Sequence, residues 1–253
     1  TSSLVEVQIK TNKQNKIMKH FTKVIPTITA SIQAGAAFED KDILFDWHKV
    51  EGFKGSEING ITAIIRGTNG ADQTMVDFDL LFATSGIRVE ANGVGVDVAP
   101  PSLGVVNAGV SLYQWKNNLT GRVNFDVDAN AVFDDGDLDV LNLVTLSDLS
   151  IPVGQDLYVA AITKGALDFR GTVQVGTETA TNTTAVVVKT TGALINFAPG
   201  DVLHDEDDLV IGTVRTVTDD TNLILAENCA SVSAVNKDLY NIHPVQLLLS
   251  STD

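Results

Sequence analysis

The polar block His204, Asp205, Glu206, Asp207 and Asp208 is the first stretch whose residue types suggest chemistry. Such side chains can ligate a metal ion or, as paired carboxylates, do acid–base work. Consecutive residues at a strand tip point by turns to opposite sides, so these five cannot all reach one ion without a special loop. The flanking "GDVL" and "DLVIGTV" read as strands, and an Asp-rich segment between two strands is where a hairpin turns. The block therefore reads as a turn, as does Asp219-Asp220-Thr221-Asn222 between Val217 and Leu223.

A calcium loop is the second candidate. In "DVDANAVFDDGD", residues Asp126, Asp128, Asn130, Asp134 and Asp137 fall at positions 1, 3, 5, 9 and 12 of a calcium-binding loop. Ala131 stands at position six, where the sharp turn wants glycine, and Asp137 reaches less far than a bidentate glutamate. The competing reading is a strand end followed by an acid-rich loop. The histidines, His20, His48, His204 and His243, have no paired zinc spacing, and the single cysteine, Cys229, reads as a small core residue. Trp47 and Trp115 could stack on a sugar, although core packing is the commoner use. No nucleophile, phosphate-binding or zinc-protease motif occurs. The chain reads as non-enzymatic, with no catalytic residues and no cofactor.

The elements around these residues follow a period of two. Val5, Val7 and Ile9 alternate with polar residues, as do Ile28, Ala30 and Ile32, and Val123, Phe125 and Val127; Val76, Phe78, Leu80 and Phe82 alternate with Asp77, Asp79 and Leu81. Each run predicts a strand with one face buried and one face wet, Asp77 and Asp79 lying on the wet side. Only "DDGDLDVLNLV" (134–144) looks briefly helical, with Asp134 or Asp135 as its cap. Many short strands separated by Gly-, Asn- and Asp-rich turns predict an all-β sandwich or barrel. Beyond Phe169 the strands become short and Thr/Val-rich, which suits a compact barrel of about five strands over 170–242. The apolar run "HPVQLLLSS" reads as a closing strand of the first unit, which makes the barrel an insertion.

Net charge is −15. That argues against wrapping nucleic acid or binding an anionic membrane, and no apolar run approaches the about 20 residues of a membrane helix. The charge is uneven. Residues 1–24 hold Lys10, Lys13, Lys16, Lys19 and Lys23 against the single acid Glu6, so the rest of the chain carries −19. This basic arm is either a solvated tail or a tether for an acidic partner surface, another copy of the chain included.

Two stretches carry a resemblance. "AGAAFEDKDILFDWHK" onward to "VDFDLLFATS" (34–85), with "DANAVFDDGDLDVLNLVTLSD" (128–148) and "QDLYVAAITKGALDF" (155–169), resembles the strand pattern of small virion proteins of tailed bacteriophages. The likeness is to head decoration (cement) proteins of jelly-roll type, and it spans about half the chain. Residues 171–242, with Gly171 to Val175, Phe197 to Leu203, Gly212 to Leu225 and Tyr240, resemble a small module appended to phage structural proteins.

The resemblance implies an all-β fold: a jelly-roll-like β-sandwich over 25–169 closed by 243–253, plus the small β-barrel at 170–242. It implies a protein made in the host cytoplasm that joins the capsid exterior, with the major capsid protein and its own copies (a trimer or dimer) as partners. A head or tail fibre or baseplate adhesin for host-surface glycan is the alternative, for which Phe197 and Tyr240 are the aromatics of the barrel.

Overall fold

The computed structural model describes residues 19–54, 57–66, 76–89, 95–110, 119–134, 138–150, 155–171, 173–189, 193 and 197–252. Strands hold 52% of the residues and helices 6%, which establishes the all-β class. In chain order the elements are β1 (Lys19–Val24), α1 (Ala30–Ala34), β2 (Ile43–Lys49), β3 (Glu57–Arg66), β4 (Phe78–Thr84), β5 (Gly86–Val89), β6 (Gly95–Val98) and β7 (Leu119–Phe125). They continue with α2 (Val127–Asn130), β8 (Ala131–Asp134), β9 (Leu138–Ser150), β10 (Leu157–Thr163), β11 (Ala185–Val187), β12 (Val202–Asp205), β13 (Val210–Asp219), β14 (Asn222–Leu225), β15 (Leu239–Asn241) and β16 (Val245–Thr252).

Two antiparallel sheets form the first unit, one in the order β1-β16-β3-β9-β8 and the other β2-β10-β4-β7. Their inward residues share one core: Val24, Ile61, Ala63, Ile65, Leu141, Leu247 and Leu249 from the first sheet, and Phe45, Phe78, Leu80, Phe82, Val123, Phe125 and Val159 from the second. Phe78 stacks on Phe125 across the β4–β7 pair, with centroids 4.9 Å apart. Alternation of burial along β3 is interrupted at Asn59-Gly60. There a register shift lets Ile58 and Ile61 both face inward, the parity change a bulge produces.

Four sequence expectations are corrected. The wet face expected of β4 is covered: Leu81 packs with Ile43, Leu103 and Ala160, and the loop carrying Leu103 closes over the sheet. Asp79 is buried on that side, paired with Arg122 at 2.6 Å and accepting from Asn124. Over 27–32 the chain does not run on as a strand but forms the one-turn helix α1, since Ser31 and Gln33 are claimed by partners in the second unit. Of the segment 134–144, Leu138–Val144 is strand, not helix, because β9 pairs there residue by residue with β3, and Asp134 ends β8; residues 135–137 lie outside the described residues. The basic arm does not extend to residue 24: Lys19–Val24 is an edge strand on β16.

The chain leaves the sandwich beyond Phe169, whose ring packs edge-on against Phe38 at 5.8 Å, and returns at Val245. Between these points lies a sheet of order β11-β14-β13-β12-β15 with its own core of Val173, Val186, Leu203, Ile211, Leu223, Leu225 and Cys229. Bridges Gln174–Asp238 and Val175–Val188 join the two ends, so segment 173–176 closes the sheet into a small barrel. Gly176 permits that closure: a Cβ there would lie 2.8 Å from the backbone of Val188 and Lys189.

Phe78→Ala is expected to destabilise the protein by about 3–5 kcal/mol in denaturant melts, and Phe78→Asp to leave it unfolded. Asp77→Asn keeps the oxygen that accepts from the Val127 N–H and is expected to shift stability by less than about 0.5 kcal/mol. Equal losses at the two positions would mean that the faces of β4 are wrongly assigned.

Candidate interaction face

β1 turns its most apolar side chain outward. Pairing fixes Val24 opposite Leu247, both inward, so Thr22 is buried while Phe21 and Lys23 take the other face. Phe21 is 66% exposed, and Leu248, diagonal to it on β16, is 40% exposed. The next strands add Thr62 and Asn142, which are bonded to each other (Thr62 Oγ1 to Asn142 Oδ1, 2.8 Å), and Ser250, which donates to Asn59. Lys19, Phe21, Thr62, Asn142, Leu248 and Ser250 line a shallow depression of about 320 Å³, and none of its described lining residues is acidic, in a chain with 32 acids. Of the lysines assigned to the arm, Lys19 and Lys23 lie on this strand; Lys10, Lys13 and Lys16 lie outside the described residues. The signal for the patch was present in the sequence: Phe21 is out of phase with Val24.

The acidic block is a turn that also fastens the two units together. Asp205 is 2% exposed; its carboxylate accepts from the N–H groups of Asp207 and Leu209 and from the Ser233 hydroxyl at 2.7 Å. Glu206 and Asp207 each lie 2.7 Å from Lys237, and their hydrogen bonds hold its ammonium far above the ordinary lysine range. Asp208 sits at φ 64°, a left-handed position that aspartate tolerates, and reaches across to α1 of the sandwich. There it accepts from the Ser31 N–H at 2.9 Å and from the Ser31 hydroxyl. Burial pushes the Asp208 carboxyl up, but these bonds outweigh it and hold the group below its usual range.

Further contacts complete the junction. Gln33 donates from one amide to the carbonyls of Ile28 and Asn241, and Arg66 meets Asp201 at 2.6 Å. His48 and His204, separate in sequence, both lie near enough to His243 to feel its charge. Burial lowers both pKa values, against the opposing pull of Glu51 on His48 and of Asp208 and Asp205 on His204. The Nδ1 of His204 is buried with no hydrogen-bond partner among the described residues.

The calcium candidates are spread over different local duties. Asp126 caps α2, accepting from the N–H groups of Asp128 and Ala129, and Asn130 accepts from the Asp126 N–H. Asp128 is exposed, the Asp134 backbone ends β8, and Asp137 lies outside the described residues. Among the described residues, no three His, Cys, Asp or Glu side chains are placed to hold a metal ion. Trp47 is half-buried and donates to the Pro101 carbonyl at 2.9 Å, and Trp115 lies outside the described residues. Phe197 and Tyr240, the barrel aromatics, are both buried and present no face for a sugar. No helix among the described residues is long and apolar enough to cross a membrane. With this geometry in place, comparison with protein-family models finds no match, and comparison with curated proteins finds none.

The lowered histidines set a pH dependence. Below the ordinary histidine value of 6.5 the unfolded chain takes up protons that His48 and His204 resist in the fold, so stability falls as pH drops through that range. The Asp208 contribution has the opposite placement: it is complete above the ordinary carboxylate value of 3.8 and is lost only below it. Melts at pH 7.5 and 5.5 are expected to show a lower midpoint at 5.5. The gap should shrink in the His48→Gln/His204→Gln double variant; an unchanged gap would remove these two residues as its source.

Proposed function

We propose that this chain is a non-enzymatic virion protein that decorates and stabilises the capsid shell of a tailed bacteriophage, binding the major capsid protein as a trimer or dimer. The observation that carries this reading is the face around Phe21, Lys19, Lys23 and Leu248. It is apolar at its centre and basic at its edge, and the described lining of its depression holds no acid, on a molecule whose net charge is −15. A shell surface with acidic groups around an apolar contact complements it. The sheet orders support the jelly-roll reading. The chain places β1, β3, β9 and β16 in one sheet and β2, β4, β7 and β10 in the other, and in each a late strand lies between two early ones. The resemblance in strand pattern points the same way.

Decoration needs no tight single site. Weak contacts repeated by a symmetric oligomer over a symmetric shell add through effective concentration. Lys10, Lys13 and Lys16 precede β1 in the chain and would add positive charge to the same contact. The barrel, inserted between β10 and β16, serves as the outward module on this reading.

The test is add-back to shells lacking this protein, read as occupancy after sedimentation. Phe21→Ser with Leu248→Ser is expected to lower affinity about tenfold, near 1.4 kcal/mol, with the melt shifted by less than about 0.5 kcal/mol. Deleting residues 1–18 is expected to weaken attachment while both units stay folded, because β1 remains in its sheet. Full occupancy by both variants would refute the assignment of this face.

A further inference from the structure

Where the barrel loop 199–201 overhangs the end of the first sheet, a cleft of about 280 Å³ opens between the two units. We infer that this cleft is a binding site for a small tetrahedral oxyanion of the phosphate or sulfate class. The inference stands independently of capsid attachment.

Its walls come from separate elements: Lys23 from β1, Arg66 from the end of β3, Gln246 from β16, His243 from the return segment, and Gly200 and Asp201 from the barrel. Asp201 is the single acid among the described lining residues, and both its oxygens are engaged. Oδ1 accepts from Arg66 at 2.6 Å and Oδ2 from the Ala198 N–H at 2.7 Å, with the side chain 6% exposed. Its charge is therefore balanced by Arg66 within the lining. Lys23 then stands as positive charge with no ion pair among the described residues, and the Gln246 amide has no side-chain hydrogen bond among them. His243 is held by two contacts, its Nδ1 on the Pro26 carbonyl at 3.1 Å and its N–H on Asn241 Oδ1 at 3.0 Å. A ring whose Nδ1–H donates to a carbonyl presents Nε2 as an acceptor in its neutral form and as a donor only when protonated, so it is not counted among the donors for an anion.

The balance favours an anion over a cation or an apolar ligand: one ammonium without an ion pair among the described residues and one amide, beside an Arg66–Asp201 pair whose charges cancel. The ammonium and the amide favour a tetrahedral ion over a carboxylate because they approach from different strands. Four tetrahedral oxygens can meet donors from several sides, whereas a carboxylate offers two coplanar oxygens. Arg66 already holds one carboxylate, that of Asp201, so a second planar partner would compete with it. The setting adds selectivity: in a molecule this acidic, an anion is repelled from most of the surface and accepted only where acids are absent or neutralised. An ion held here would touch groups from both units and brace their junction.

Sulfate is the probe, since its charge is constant near neutral pH. The readout is backbone amide chemical shift at fixed ionic strength, because sulfate raises melting points without specific binding. Titration of the intact chain is expected to give saturable shifts at Gly200, His243 and Gln246. Lys23→Gln should weaken the affinity about fivefold, the upper end for a solvent-accessible ion pair, with little change in the melt. Phe21→Ser, on the same strand but outside the cleft, should leave it unchanged. Acetate at equal concentration is expected to bind more weakly. Shifts that do not saturate, an affinity indifferent to Lys23→Gln, or tighter binding of acetate than of sulfate would each overturn the inference.

Discussion

The interaction on which this fold leans hardest is the hydrogen bond from a loop N–H to an aspartate carboxylate. An all-β chain crosses from sheet to sheet many times, and each crossing leaves backbone donors outside the ladders. Here aspartates take them: Asp42 from Glu39, Asp46 from Leu103, Asp77 from Val127, Asp126 from its own helix turn, Asp201 from Ala198, Asp205 from Asp207 and Leu209, and Asp219 from Thr221. A charge-assisted bond of this type is roughly twice as strong as a neutral one. The acidity of the chain is therefore in good part loop architecture. It follows that clustered acids are weak pointers to chemistry in this molecule, and that places where basic groups gather without acids are informative.

The junction between sandwich and barrel is built on the same principle. Each unit has its own apolar core, and polar, directional contacts join them: Arg66 to Asp201, Ser31 to Asp208 and Gln33 to Asn241. An apolar seam would tolerate sliding. Paired and bonded groups do not, because a shift of an ångström or two leaves a half-buried carboxylate or amide unmet. The junction thus sets orientation more than it adds stability. It also explains why two histidines there resist protonation: added charge at His48 or His204 would arrive where burial is partial and His243 is close.

Legibility in the sequence followed distance along the chain. The inward rows Phe78-Leu80-Phe82 and Val123-Phe125 were plain because alternation is a local property, and the insertion of the barrel before "HPVQLLLSS" was visible as a change in strand composition. The acidic block read correctly as a turn for the same reason. What failed to show was decided by remote partners. Asp79 looked solvated because Arg122 lies 43 positions away, and Leu81 looked exposed because the covering loop follows only after β6. The helix at Ala30–Ala34 and the use of Asp208 rest on one contact between residues 177 apart. In 134–144 a good cap and a mixed apolar pattern suggested a helix, and pairing with β3 overrode both. The facing of Phe21 was open to inference, yet its neighbours in a lysine-rich run made the segment look like tail rather than strand.

The charge pattern constrains how many copies can live on one surface. Molecules of −15 repel, and neighbours on a shell would be held apart unless their acidic sides stay beyond a Debye length, about 8 Å at physiological ionic strength. Lys19 and Lys23 lie on the outer face of the first sheet, whereas the acidic turn of the barrel lies at the junction and beyond. A copy seated through the Phe21 face turns its least repulsive side to the contact and leaves the acids to solvent, where screening removes most of the penalty. Seated through the barrel, the same molecule would bring like charge into the contact. On the proposed reading, the strand that the sequence disguised as a tail is the side through which copies are seated.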